Sequence, residues 1–298
     1  MIRQLIHQAR WALTRSGLSP AKYWTRHNVT QHHAFASAEE SLEYFHWRND
    51  QYIGYLDLLP VAGQDGKVVL DYGCGPGHDV VGFGVYSKPR RLIGLDVSSS
   101  SLAEAGKRLA LHNVQAELIQ HDETSKRLPL EDASVDYIHS SGVLHHIADR
   151  EGVLRELRRV VRPDGEARIM VYNYDSIFLH LYTAFVVQIY QRRYSGETVR
   201  QAFAHLTDGP HCPIAEVYRP REFIDLAQRC GWRAEHLGNA TSVFEVGLLP
   251  ERCKAIQDRR LPAEHRQFLL GLTFSAAGLP MWNSQQAGVD GCFRLWPA

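Results

Sequence analysis

The run VVLDYGCGPGHDVVGFG, residues 68–84, limits this chain more than any other feature. Three β-formers lead into Asp71, and glycines then stand at alternate positions, Gly73, Gly75 and Gly77. A strand that ends in such a turn offers bare backbone and helix-terminal N–H groups to a ligand. In parallel sheets that ligand lies at the carboxyl ends of the strands. The spacing also narrows the choice of ligand. A dinucleotide fingerprint, G-x-G-x-x-G, would place its third glycine where the chain has His78, and no Lys-Ser/Thr pair follows the turn as a phosphate loop requires.

Two acids downstream suit an adenosine. Asp96 closes the stretch RLIGLD, 19 residues beyond Gly77, where a carboxylate accepts hydrogen bonds from both ribose hydroxyls. Asp122, in IQHDET, ends the next strand and stands at the polar edge of an adenine. An adenosine across three strands accounts for all of this. The room that a pyrophosphate needs is what is missing.

From about residue 67, β-rich runs alternate with helical patterns, which implies a parallel sheet of βα units. Strands are expected at 68–71, 91–96, 115–120, 135–139, 166–172, 232–237 and 289–297. Helices are expected after the glycine turn, from a cap at Ser98 or Ser99 to Asn113, and over 151–161, 175–191 and 220–230. The stretch to Thr207 also reads as helical, as does 252–272 with a break near Pro262, and Arg162-Pro163-Asp164-Gly165 should separate the helix over 151–161 from the fifth strand.

Composition removes several classes of partner. Lys+Arg and Asp+Glu balance at 33 each in 298 residues, so no global field recruits nucleic acid or an anionic membrane. The longest apolar stretch, 177–190, is interrupted by His180 and Gln188 and is too short for a bilayer. Five scattered cysteines without a CxxC pair imply reduced thiols, and with them a cytoplasmic location. The first 38 residues carry Arg3, Arg10, Arg15, Lys22 and Arg26 but no acid, a transit-peptide composition; a basic helix packed on the domain is the favoured reading. A homodimer stays open.

The motifs VVLDYGCGPG, LIGLDVS, IQHDETSKRLPLEDASVDYIHSSGVLHHI and LRELRRVVRPDGEARIMVYN, in that order, resemble the class I S-adenosylmethionine-dependent methyltransferases, with RPREFIDLAQRCGW a weaker continuation. The resemblance covers about residues 65–175. It implies a doubly wound α/β fold: a seven-stranded, mostly parallel sheet with its last strand antiparallel, an N-terminal helical cap and helical insertions. The cap or lid would span 1–60 and the methyltransferase domain 61–298, with insertions at about 175–215 and 239–286. The implied cofactor is S-adenosylmethionine, leaving S-adenosylhomocysteine, with no metal.

Carried over by that resemblance, Asp71, Gly73, Cys74, Gly75 and Gly77 would line the methionine and ribose side. Asp96 and Val97 would hold the ribose and flank the adenine, Asp122 and Glu123 would meet the adenine edge, and Ser140 and Ser141 would face the sulfonium. For Asp71 a purely structural role in holding the loop is the competing reading.

Methyl transfer from a sulfonium is an in-line displacement that needs alignment, exclusion of water and, for a hydroxyl acceptor, a base. Catalytic candidates are His145, favoured over its neighbour for facing the pocket, with Tyr172, Asn173 and Tyr174 after the fifth strand and His27 in the N-terminal segment. Trp24, Asn28, Arg48, Tyr52, His146 and His211 are candidates for binding the acceptor. Packing remains the competing role for His145 and His146, and helix capping for Asn173. His32–His33 and His211–Cys212 lack a ligand set that completes a metal site. The strand-four N/D-P-P-Y tetrapeptide of nucleobase and glutamine methyltransferases is absent, which leaves a small polar metabolite with an O, N or S acceptor atom: a thioether or amino acid such as methionine, an amine or a sugar. An NAD-dependent oxidoreductase and a non-catalytic cofactor-binding protein are the alternatives.

Overall fold

In a computed structural model of the chain, residues 19–26, 34–209 and 212–298 are described. His27, Asn28, the His32–His33 pair and His211 lie outside them. The frame is an eight-stranded sheet. Its strands are β1 (Tyr52–Ile53), β2 (Val68–Tyr72), β3 (Arg91–Asp96), β4 (Glu117–Gln120), β5 (Val135–Ser141), β6 (Val161–Tyr172), β7 (Trp232–Ser242) and β8 (Asp290–Pro297), in the order β1-β7-β8-β6-β5-β2-β3-β4. Strands β2 to β6 pair in parallel, and β8 lies antiparallel between β6 and β7. The chain winds outward from β2 through β3 to β4 and from β5 to β6 in the other direction. The crevice where the order reverses, between β2 and β5, is where such sheets bind ligands.

Helices cover both faces, so the central strands read as continuous apolar runs; all five residues of β2 are buried. On one face, Leu154, Leu157 and Val160 from Arg150–Val160 and Phe223 and Leu226 from Pro220–Arg229 pack on β2, β5 and β6. On the other, Val80, Val81 and Phe83 from α3 (His78–Tyr86) and Leu102 and Leu109 from α4 (Ser99–Leu111) pack with Phe45. Phe45 belongs to α2 (Ala38–Asp50), which follows α1 (Pro20–Arg26). Ser98 starts α4 as its cap, accepting from Ser101 N at 3.2 Å.

Three local features depart from the expected pattern. β6 begins at Val161, because Arg162–Gly165 is absorbed as a bulge: the register against β5 jumps from Val161↔Val135 to Glu166↔Tyr137. Gly165 permits this, since a Cβ there would come within 2.8 Å of Asp136 O. The insertion expected to be helical over 239–286 also carries a three-stranded antiparallel sheet, Thr273–Phe274, Pro280–Trp282 and Gln285–Gln286. Its tight hairpin turns on Asn283 and Ser284, both at positive φ, the geometry a two-residue hairpin needs. The two-residue β1 adds an antiparallel edge to β7. No helix among the described residues is long and apolar enough to cross a membrane.

Candidate active site

The turn from β2 into α3 depends on two glycines at positive φ, Gly73 closed to a side chain by contact and Gly75 strained for one by its backbone alone. Gly73 has φ +79°, and a Cβ there would lie 2.3 Å from a Val143 methyl carbon. Gly75 has φ +51°, and a Cβ there would stand in open space on the cleft wall. Asp96 braces this turn: its Oδ2 accepts from Gly75 N at 2.8 Å and its Oδ1 from Ser98 N at 2.8 Å. Each carboxylate oxygen keeps capacity for one more donor, which is what two ribose hydroxyls would supply. The glycine cradle and the doubly acceptor-competent acid fit the ribose and methionine portions of S-adenosylmethionine.

Gly73, Cys74, Gly75, Asp96, Val97 and Glu123 line one end of a single cleft of about 1180 Å³, and Ser141 lines it near the centre. Pockets for one ligand run to about 300–1,000 Å³, so this one has room for a second molecule.

The remaining cofactor candidates do not line the cleft: Asp71, Gly77 and Ser140 are buried, and Asp122 is exposed. Asp71 is buried beneath the turn, and burial pushes its carboxyl up to about 7. Beside it, Arg48 Nη1 meets Asp79 Oδ1 at 3.0 Å, and His139 Nε2 lies 3.4 Å from Asp79 Oδ2. Gly77 lets α3 approach α4, since a Cβ there would be 2.9 Å from Ala105 Cβ. Asp122 is turned to its own loop, accepting from Thr124 N and Oγ1 at 2.8 Å each. Ser140 is buried and donates to Tyr72 O at 3.0 Å.

Tyr52, His146 and Tyr172 line the rest of the cleft, with the Trp24 ring 4.9 Å from that of His146, and Arg48 reaches the cleft from beside Asp79. The short turn Leu144–His146 reverses the expected preference between the two histidines. His146 lines the cleft, whereas His145 is fully buried, its ring against that of Tyr172 at 3.9 Å between centroids and neither nitrogen hydrogen-bonded among the described residues. Asn173 and Tyr174 do not line the cleft. Asn173 Nδ2 donates to Asp175 O and Gly288 O at 2.9 Å each, and Tyr174 lies under the Arg219 guanidinium, donating to Glu264 Oε1 at 3.1 Å.

Sequence reasoning missed Asp208, which organises this part of the cleft. His146 Nε2 lies 3.2 Å from Asp208 Oδ2, Tyr172 OH donates to the same oxygen at 2.8 Å, and Tyr23 OH donates to Asp208 O at 2.6 Å. His146 Nδ1 donates to Ile214 O at 2.5 Å. Its Nε2 faces the Asp208 carboxylate as an ion pair without hydrogen-bond alignment, and that charge holds the ring as an imidazolium. Burial alone would lower its pKa, but the Asp208 carboxylate pushes it up to about 10. Burial likewise opposes ionisation of Asp208, and the His146 charge more than offsets it, holding that carboxyl well below its usual range. His145, His146 and Asp208 also present possible ligand atoms within 4.8 Å of one another, but Asp208 is already engaged by His146 and Tyr172. Asp290 and Tyr55 were missed too. Both line the cleft, and Tyr55 OH is hydrogen-bonded to Ser141 Oγ. The one sequence signal for Asp208 and Asp290 is an acid beside a glycine at an element boundary, in TDGP and VDGC.

Residues 69–165 match the family model described as a methyltransferase domain. An uncharacterized 37.1 kDa protein in a transposon of Streptomyces fradiae is 34% identical over 146 residues, 49% of this chain and 41% of that one. The trans-aconitate 2-methyltransferase of an Azoarcus strain is 32% identical over 139 residues, 43% of this chain and 52% of that one. The demethylmenaquinone methyltransferase of Lactobacillus johnsonii is 31% identical over 106 residues, 35% of this chain and 43% of that one. The chain thus spans about half or less of the length of these curated relatives. Among solved structures, the Haloferax volcanii complex between the Trm112 methyltransferase activator and a chain described as a methyltransferase superposes with a TM-score of 0.50 at 15% identity, covering 88% of this chain and 94% of that one, a likeness of fold alone. Residues 69–165 thus carry a methyltransferase domain, and the glycine turn, the acid at the end of β3 and this sheet order are those of the class I S-adenosylmethionine-dependent enzymes.

Proposed function

We propose that the protein transfers the methyl group of S-adenosylmethionine to a small molecule held at the His146–Asp208 end of the cleft. One observation carries this reading: a single cleft has the Gly73–Gly75 turn and Asp96 at one end and a tyrosine-rich, charge-paired wall at the other. When bound, the cofactor supplies an electrophilic methyl group on a sulfonium sulfur. Asp96 takes the ribose hydroxyls, Val97 and Glu123 flank the adenine, and the bare backbone at Gly73 and Gly75 admits the methionine tail. Helices α1 and α2 bring Trp24, Arg48 and the Tyr44 ring to the cleft. His146, already protonated, orients an acceptor by donating charge and hydrogen bonds; it is not the base. The names of the Azoarcus and Lactobacillus relatives speak of small-molecule acceptors, and the balanced charge of the chain supports the same class here.

The test is ligand-dependent thermal stability followed by transfer of labelled methyl. S-adenosylhomocysteine at 100 times its Kd should add about 2.7 kcal/mol by mass action. Stabilisation by NAD and none by S-adenosylhomocysteine overturns the assignment, and binding without transfer to any member of a broad metabolite panel leaves a cofactor-binding protein.

A further inference from the structure

The cleft wall carries seven carboxylates among the described residues, and six of them have a partner. Asp79 has Arg48, Asp208 has His146 and Glu156 has Arg159. Asp96, Glu123 and Asp149 accept backbone N–H groups, from Gly75, Ala21 and Gly152. Asp290 has neither cation nor donor among the described residues, although it is only 2% exposed. It is the first residue of β8, in register with Tyr172 and Ala240, and so stands at the ligand-binding edge of the sheet. Burial pushes its carboxyl well above the usual range, and the nearby charge of Glu245 pushes it further. The Arg48 charge pulls the other way, but that guanidinium is held by Asp79. Tyr52 stands close enough that the Asp290 charge is the main cause of its own raised pKa. A buried carboxylate without a partner is strongly unfavourable, and the complement it lacks is a cation with donors. The rings of Trp24, Tyr44, Trp47 and Tyr52 share the same cleft, and aromatic faces attract cations.

We infer that Asp290 anchors the ammonium group of the methyl acceptor and then takes its proton, so that the acceptor is a small primary or secondary amine. This rests on the methyltransferase reading above. The amine arrives as an ammonium and passes one proton to the Asp290 carboxylate, which frees its lone pair. The nitrogen then forms the N–C bond while the methyl–sulfur bond breaks with its electron pair left on sulfur. The positive charge ends on the methylated ammonium, and the proton on Asp290 leaves to solvent after release. His146 does not take that proton, because the Asp208 carboxylate already holds its ring as an imidazolium.

The experiment titrates the full chain, saturated with S-adenosylhomocysteine, with a panel of small primary and secondary amines, each beside its matching alcohol and carboxylate. Amines should bind and their isosteres should not. Asp290→Asn should weaken the best amine about 10- to 100-fold, the scale of a charge-assisted hydrogen bond, while S-adenosylhomocysteine affinity changes less than about twofold. Tight binding of carboxylates or alcohols, no binding across the panel, or an Asp290→Asn protein that retains amine affinity overturns the inference. The wild-type panel decides the matter even if the variant fails to fold. If S-adenosylhomocysteine does not bind the wild-type protein, the methyltransferase reading falls and the amine assignment falls with it; if it binds and amines do not, the amine assignment alone falls.

Discussion

The two ends of the cleft are built by different means. The end proposed for the cofactor comes from short segments at the carboxyl ends of β2, β3 and β4, and its shape is set by backbone: glycines at positive φ and N–H groups bound to Asp96. The end proposed for the acceptor gathers Trp24 and Tyr52 from before the sheet proper, His146 and Tyr172 from its centre, Asp208 from a connecting loop and Asp290 from the last strand. Its shape is set by the pairing of buried charges. Damage to the first should therefore act through conformation and cofactor affinity, and damage to the second through uncompensated charge.

The largest expected effect lies at the acceptor end. Asp208→Ala leaves a buried imidazolium without its carboxylate and should lower unfolding free energy by about 3–5 kcal/mol, read by urea denaturation at pH 6. The same pair predicts a pH signature. Asp208 titrates below its ordinary 3.8, so its share is present above that value and lost as pH falls further. His146 is held at about 10 against an ordinary 6.5, so its share is complete below 6.5 and lost as pH rises through 10. The gap between wild type and Asp208→Ala should be widest between those limits and shrink toward pH 10. A constant gap from pH 5 to 10 would break the claim that charge pairing sets this end.

Next comes Gly73→Ala. A left-handed alanine and a methyl 2.3 Å from the Val143 side chain together should cost about 2–4 kcal/mol. Because the strain is steric, the loss should not vary with pH, in contrast to Asp208→Ala.

This division also explains what could be read in the chain beforehand. Five of the seven expected strands lie within two residues of their expected bounds, while β6 begins five residues early and β7 ends five residues late. The parallel strands were legible because a buried parallel strand is a contiguous apolar run and its turn is written in the next few residues. The placement of the cofactor-end glycines and Asp96 was legible for the same reason. At the acceptor end, side chains meet across long separations, such as the 36 residues between Tyr172 and Asp208, and no local pattern records that. His145 and His146 show the limit at its smallest scale. Consecutive residues of a three-residue turn point about 120° apart, so which one reaches the cleft depends on where the turn begins, and that is set by packing against Tyr172 and Ile214.

A smaller effect is expected from Asp96→Ala, now on affinity. Removing a carboxylate that would accept two ribose hydroxyls should weaken S-adenosylhomocysteine by about 1.5–3 kcal/mol, measured by calorimetry. Because Asp96 also holds Gly75 N and Ser98 N, some stability should be lost as well. Unchanged affinity would remove Asp96 from the ribose.

Tyr172→Phe should give the smallest effect and the sharpest separation of the two ends. The change deletes one hydrogen bond to Asp208 Oδ2 but leaves His146 on that oxygen and the ring against His145. The charge pair survives, so the loss should be about 1 kcal/mol of stability, well short of that for Asp208→Ala. S-adenosylhomocysteine affinity should stay within about twofold, since nothing at the glycine turn depends on this hydroxyl, whereas Asp96→Ala should lower it at least about tenfold. If Tyr172→Phe instead weakened S-adenosylhomocysteine as strongly as Asp96→Ala does, the two ends would be one coupled site, and the acceptor wall would have to be counted as part of the cofactor's own binding surface.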